Sequence, residues 1–258
     1  MLDSVQNGGN AVEINAASLP LFQSVDRYVF DPLFGVSSSD LTPSETDSAF
    51  GLALALMAQE TKDPSFCKVH EGWRRTREGV ELFPQSLTDA AFYIVRDPRD
   101  VAISLAHHFD VSIDQAVAEM EKEDFTLTPG GKRLFRTFPS LLFSWSRHVE
   151  SWLDRSQLAP LLIKYESMLA DPIACLRKAC AHLGWTIEDS VLEAAVNQTS
   201  FQRLSKQEKE AGFSERAAPG RVFFRQGRAG EWRNTLSRIQ AERIEKCHRA
   251  VMERLDYL

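Results

Sequence analysis

Three stretches of this chain gather side chains that can handle an anion or a proton. Lys68-Val69-His70 sets a lysine and a histidine two positions apart, and on an extended strand that spacing turns both to one face. A histidine takes a proton from a hydroxyl or amine at neutral pH, and a neighbouring ammonium stabilises charge growing on a departing oxygen. By itself the pair also reads as two solvated residues on a surface strand. The second stretch, FYIVRDPRDVAISLAHHF, covers 92–109. Its apolar run ends at Arg96, Asp97 suits a helix N-cap and Pro98 suits the first helical turn. Arg96 then stands at the carboxyl end of a strand before a helix N-terminus, where open α/β sheets bind phosphorylated ligands. Ser104 lies two turns along that helix, so Arg96 and Ser104 can converge on one anion. The pattern equally admits an arginine paired with Asp97 or Asp100. The third stretch, RVFFRQGRAGEWRN at 221–234, carries Arg221, Arg225, Arg228 and Arg233 against Glu231. Gly227 and Gly230 let its backbone come close to an anion; a solvated basic loop is the plainer reading.

These stretches need a frame. Ser65 to His70 reads as a short strand. Ala91 to Val95 is a continuous apolar run of the kind that forms a buried parallel strand, and the strand in LAPLLIKY (158–165) starts after Pro160. Helical patterns fall at about 98–109, 112–123, 131–155, 167–183 and 231–255, with Glu231 and Trp232 opening the last. Strands alternating with helices predict an α/β fold: one domain over 1–258, with a central parallel sheet flanked by helices on both faces. Residues 1–64 read as weakly organised, apart from a helix opened by Thr42-Pro43-Ser44-Glu45 and filled by Phe50 to Met57.

Composition narrows the function classes. Net charge is −6, from 30 basic and 36 acidic residues, so general nucleic-acid binding is not expected and an anion site must be a local basic pocket. Cys67, Cys175, Cys180 and Cys247 lack zinc-type spacing and read as reduced thiols; no metal site is expected. The N-terminus lacks the pattern of a signal peptide, and no apolar run is long enough to span a membrane. The cytoplasm is the expected compartment, and the oligomeric state stays open.

VRDPRDVAISLAHHF resembles the 3′-phosphate-binding segment of sulfotransferases, R-[ND]-P-[KR]-D-V-x-x-S followed by aromatic and histidine residues. The resemblance implies that Arg96 and Ser104 hold the 3′-phosphate of the donor, 3′-phosphoadenosine-5′-phosphosulfate. Lys68-Val69-His70 is similar to the family's K-[TS]-H strand, which implies His70 as the catalytic base and Lys68 as the lysine facing the sulfuryl group. IKYESMLADP (163–172) resembles the segment whose tyrosine approaches the adenine, implying Tyr165. NQTSF (197–201) resembles the T-S-F that serves the base, implying Thr199 and Phe201. The 221–234 segment resembles R-K-G-x-x-G-[DE]-W-[KR]-N, which closes over the 3′-phosphate. It implies Arg225 and Gly227, with Gln226 where lysine is common.

The implied architecture is the P-loop nucleotide hydrolase-like one, and the implied acceptor is a small molecule with a hydroxyl or amine. The resemblance covers 65–258 with motifs and 1–64 loosely. The family's Y-P-K-[SA]-G-[TN]-T-W loop, which cradles the 5′-phosphosulfate, has no counterpart; Gly130-Gly131-Lys132 is a superficial candidate and reads as a helix-starting turn. The first strand and loop are therefore expected to be missing, with Met1 to Ser4 the tail of the helix after them. A non-catalytic relative that lost this loop and survives as a nucleotide-binding or interaction protein is the alternative.

Overall fold

The computed structural model describes residues 1–15, 22–23, 27–60, 66–127, 138–213 and 222–258. Gly130-Gly131-Lys132 and Arg221 lie outside them. The fold is α/β and divides into two compact units, each assembled from separated stretches of chain: Met1–Leu19, Phe92–Glu119 and Leu161–Leu258 in one, Pro20–Ala91 and Met120–Pro160 in the other. Among the described residues no helix is long and apolar enough to cross a membrane.

The first unit is built on a parallel pair of strands, Phe92–Val95 and Leu161–Lys164, in register from Phe92 opposite Leu161 to Val95 opposite Lys164. Tyr93 and Val95 are buried while Ile94, pointing the other way, is 58% exposed. Directly after the first strand comes the Pro98–Phe109 helix, capped by the Asp97 carboxylate on the Arg99 N–H. The pattern expected at 167–183 is two helices, Tyr165–Ala170 and Pro172–His182. Asp171 ends the one and caps the other through the Ala174 N–H, with Pro172 at the first position of the second.

Leu2–Gln6 is helical where Met1 to Ser4 was expected to end a helix, and Asp189–Gln198 and Phe201–Ala211 are two further helices of this unit that sequence periodicity did not suggest. Val5 of the first packs into a core cluster with Leu176, Cys180, Leu192 and Ala195. The last long helix starts at Arg238 rather than 231, because Ser237 and Gln240 form a capping box. Glu231 and Trp232 open only a separate turn, Trp232–Thr235.

Residues behind the strand end are tied to the C-terminus. Arg99, 5% exposed, spans Asp97 at 2.8 Å, Glu245 at 2.7 Å and the Tyr257 carbonyl at 2.7 Å. The Glu166 carboxylate accepts the Asp97 N–H at 3.0 Å and the Tyr257 hydroxyl at 3.0 Å. The turn that carries Arg96 is therefore held from the back by buried polar bonds, each satisfied.

In the second unit Phe22–Gln23 pairs in parallel with Cys67–Lys68, and Thr126–Leu127 pairs antiparallel with Ser140–Leu141. The expected 65–70 strand is thus shorter and belongs to its own two-stranded pair. The helix expected after Thr42 is present as Pro43–Glu60, and Arg27–Phe34 is a further helix that the composition did not suggest. Phe30, Phe50, Ala53, Leu82 and Phe138 form this unit's apolar cluster. The described helix within the expected 131–155 begins at Trp145, capped by Ser144, and passes into a π-helical turn at Ser151–Arg155.

Replacing Arg99 by alanine leaves Asp97 and Glu245 without their cation, and loss of one partner from a buried pair costs about 3–5 kcal/mol. Urea unfolding of Arg99→Ala should show a loss of this size; a loss below about 1 kcal/mol would mean that the clamp is not what holds the turn.

Candidate functional site

Arg96 and the 225–232 loop, far apart in sequence, meet. The Arg96 Nη2 donates to the Arg228 carbonyl at 3.0 Å and lies 3.6 Å from the Asp100 carboxylate. Its guanidinium carbon sits 4.6 Å from the centre of the Tyr165 ring, a cation–π distance. Of the two sequence alternatives for Arg96, the pairing with Asp100 is present, and the same guanidinium also meets the basic loop. Its Nε is buried with no hydrogen-bond partner among the described residues, and the same is true of Gln226 Oε1.

Buried carboxylates from two helices shape the loop. Glu208, fully buried, accepts the Phe223 N–H at 2.6 Å and the Phe224 N–H at 2.9 Å. Asp100, 1% exposed, accepts the Gly230 N–H at 2.6 Å and the Trp232 N–H at 2.9 Å. Between these anchors the Arg225 guanidinium grips the Glu231 carboxylate with both Nη atoms. That bond, helped by Arg228 and Arg96 nearby, holds the Glu231 carboxyl below its usual range although burial opposes it. Three guanidiniums (Arg96, Arg225, Arg228) thus gather around two carboxylates (Asp100, Glu231).

Gly227 has φ +60°, and a Cβ there would come within 2.3 Å of the Phe201 ring. Only glycine fits, because the backbone lies directly on that ring. Phe201 opens its helix at this contact. Thr199 ends the preceding helix and donates its hydroxyl to the Ala195 carbonyl at 2.8 Å. Ser104 is exposed on the Pro98–Phe109 helix. These contacts join Arg96 to Tyr165 and the loop, and Phe201 to Gly227. Glu208 and Glu231 escaped sequence reasoning. Glu208 sits in a strongly polar helix with no local signal, whereas the proximity of Glu231 to four arginines was a signal of pairing.

Lys68 and His70 belong to the other unit. Lys68 is half-buried at the end of its short strand, and His70, just beyond it, is exposed. Here one helix replaces the strand ladder. The His148 Nε2 lies 3.2 Å from the His70 carbonyl, the Trp152 Nε1 donates to the Glu71 carbonyl at 2.9 Å, and the Ser151 hydroxyl oxygen accepts the Trp73 N–H at 3.0 Å. Positions 148, 151 and 152 stand three and four residues apart, so they share the helix face turned to this segment. Glu71 is buried and accepts the Leu141 N–H at 2.8 Å. Among the described residues no group of three or more His, Cys, Asp or Glu could hold a metal ion.

The model of the sulfotransferase domain matches residues 61–256. Sulfotransferase 2A6 of Rattus norvegicus is 28% identical over 175 residues, covering 65% of this chain and 59% of that protein. Sulfotransferase 1A1 of Mus musculus is 26% identical over 213 residues, covering 77% of this chain and 66% of that protein. The chain therefore spans less than two thirds of the length of either relative. A crystal structure of retinol dehydratase in complex with androsterone and the inactive cofactor PAP superposes with a TM-score of 0.63 at 20% identity, over 96% of this chain and 74% of that one. This last likeness shows the fold. The chain belongs to the sulfotransferase family.

Burial pushes the Glu71 carboxyl up to about 7 despite Arg74 and the Leu141 N–H, and burial pushes His148 down to about 4 despite its bond to the His70 carbonyl. A raised carboxylate adds stability fully present below its unfolded value of 4.5 and lost as pH rises through about 7. A lowered histidine does the reverse: its native form is favoured above 6.5, and stability falls as pH drops through about 4. The two trends oppose each other between pH 4.5 and 6.5. Glu71→Gln should therefore make stability rise across that window, and His148→Gln should make it fall, both read by denaturant unfolding at fixed pH. Parallel slopes in the two variants would contradict the assignment.

Proposed function

We propose that this chain forms the 3′-phosphate pocket and the acceptor-side base of an enzyme transferring a sulfuryl group from 3′-phosphoadenosine-5′-phosphosulfate to a hydroxyl or amine of a small molecule. The observation that carries the reading is the meeting of Arg96 with the Arg225–Trp232 loop, which gathers the guanidiniums of Arg96, Arg225 and Arg228. Arg96 and Arg228 supply charge, the Gly227 backbone supplies close approach, and Ser104 supplies a hydroxyl two turns along the helix. Tyr165 and Phe201 are the rings for the adenine, with Thr199 beside them. Gln226 gives an amide where a lysine would give charge, so one contact here is neutral. The PAP and androsterone bound to the structural neighbour support a nucleotide donor and a small-molecule acceptor.

When bound, the donor supplies an activated sulfur–oxygen bond and a phosphate leaving group. His70 takes the acceptor's proton as the acceptor oxygen or nitrogen bonds to sulfur. Lys68 meets the charge that gathers on the bridging oxygen as its bond to sulfur breaks. The His148, Trp152 and Ser151 contacts fix the backbone from 70 to 73, which carries the imidazole.

Two variants separate binding from chemistry. Arg96→Ala should weaken binding of adenosine 3′,5′-bisphosphate by about tenfold or more, the loss of a charge-assisted contact worth roughly 1.5–3 kcal/mol. His70→Ala should leave that affinity in place and, in a form that also carries the 5′-phosphosulfate loop, lower sulfuryl transfer by about 10²-fold or more. Calorimetry showing unchanged affinity in Arg96→Ala would sink the pocket, and near-normal turnover in His70→Ala would remove that residue from the chemistry.

A further inference from the structure

Asp100 touches both halves of the basic site yet is not placed to touch a ligand. Its side chain is fully buried, and its two oxygens receive the N–H groups of Gly230 and Trp232 at 2.6 and 2.9 Å. The oxygen bonded to Gly230 also lies 3.6 Å from the Arg96 Nη2. Arg96 in turn donates to the Arg228 carbonyl at 3.0 Å, which closes a ring of contacts: Asp100, Gly230, Arg228, Arg96. Gly230 holds φ +77° inside that ring. A carboxylate here does two things that an amide cannot. It accepts backbone donors on both oxygens, and its charge turns the arginine toward the loop.

Resting on the reading of this site as the 3′-phosphate pocket, we propose that Asp100 is the positioning residue that makes the pocket selective for a 3′-phosphate. It sets Arg96 and the Arg225–Trp232 backbone at one fixed separation before any ligand arrives. Removing it separates the two halves while leaving every cationic side chain in the chain. The loss then falls on ligands that engage both halves and spares ligands that lack the 3′-phosphate.

The test compares adenosine 3′,5′-bisphosphate with 5′-AMP by calorimetry in the parent chain, Asp100→Asn and Arg96→Ala. Asp100→Asn should bind 5′-AMP as the parent does and lose about tenfold or more of its preference for the bisphosphate. In the Arg96→Ala background the same substitution should cost much less, because the two residues act as a unit. If Asp100→Asn melts without cooperativity, Asp100→Glu takes its place: it keeps the charge but cannot seat both oxygens on the same N–H groups, and the same fall in preference is expected. A folded Asp100 variant that keeps the parent preference, or that loses both ligands equally, overturns the proposal. Arg96→Ala with its preference intact would instead overturn the reading of the pocket on which the proposal rests.

Discussion

Asp100 lies in the first turn of the Pro98–Phe109 helix, where a buried negative charge is favoured by the helix dipole. Two backbone N–H groups from a loop 130 residues further along the chain end on it, and Arg96 lies beside it. Without that carboxylate the Gly230 and Trp232 donors would be buried and unsatisfied, and a basic loop with two glycines would have many conformations. Most of the candidate anion site is a consequence of that single placement. Glu208 repeats the device at the other end of the loop, so the segment between them is stretched across two fixed points. The arginines between those anchors need only the space left to them.

The Lys68–His70 segment is held by similar means. A short strand would fix its backbone poorly, and side chains of the Trp145–Arg155 helical stretch complete the job at residues 70, 71 and 73. In both places side chains from distant helices hold the main chain that carries the candidate residues. The cost is concentrated in buried titratable groups. Glu71 sits near its limit as a carboxylate, and the Asp97–Arg99–Glu245 cluster is stable only as a complete set.

The chain advertised its local features well and its long-range ones poorly. The strand at 92–95, the Asp97 cap, the helix at 98–109 and the strand after Pro160 all follow from apolar runs and capping residues. The break at Pro172 is equally local and was overrun only because the apolar spacing continues across it. Phe201–Ala211 was illegible for a different reason: its sequence, FQRLSKQEKEA, is polar, and a tertiary contact, Glu208 on the loop backbone, is what uses it. In the same way the arginines at 96 and 225–228 could be named from their spacing. Their pairing with Asp100 and Glu231 was local enough to be signalled too; that the Gly230 and Trp232 N–H groups would end on Asp100 depends on which groups the fold brings face to face.

The central claim is that Arg96 and the Arg225–Trp232 loop form one pocket shaped for a phosphate at the 3′ position. Calorimetric titration of the chain with adenosine 3′,5′-bisphosphate and with its 2′,5′ isomer tests this most directly, because the two ligands carry the same charge. The account predicts that the 3′,5′ compound binds at least about tenfold more tightly, the worth of one well-placed charge-assisted contact. Equal affinities would show that the arginines act as a diffuse basic patch, and would contradict it.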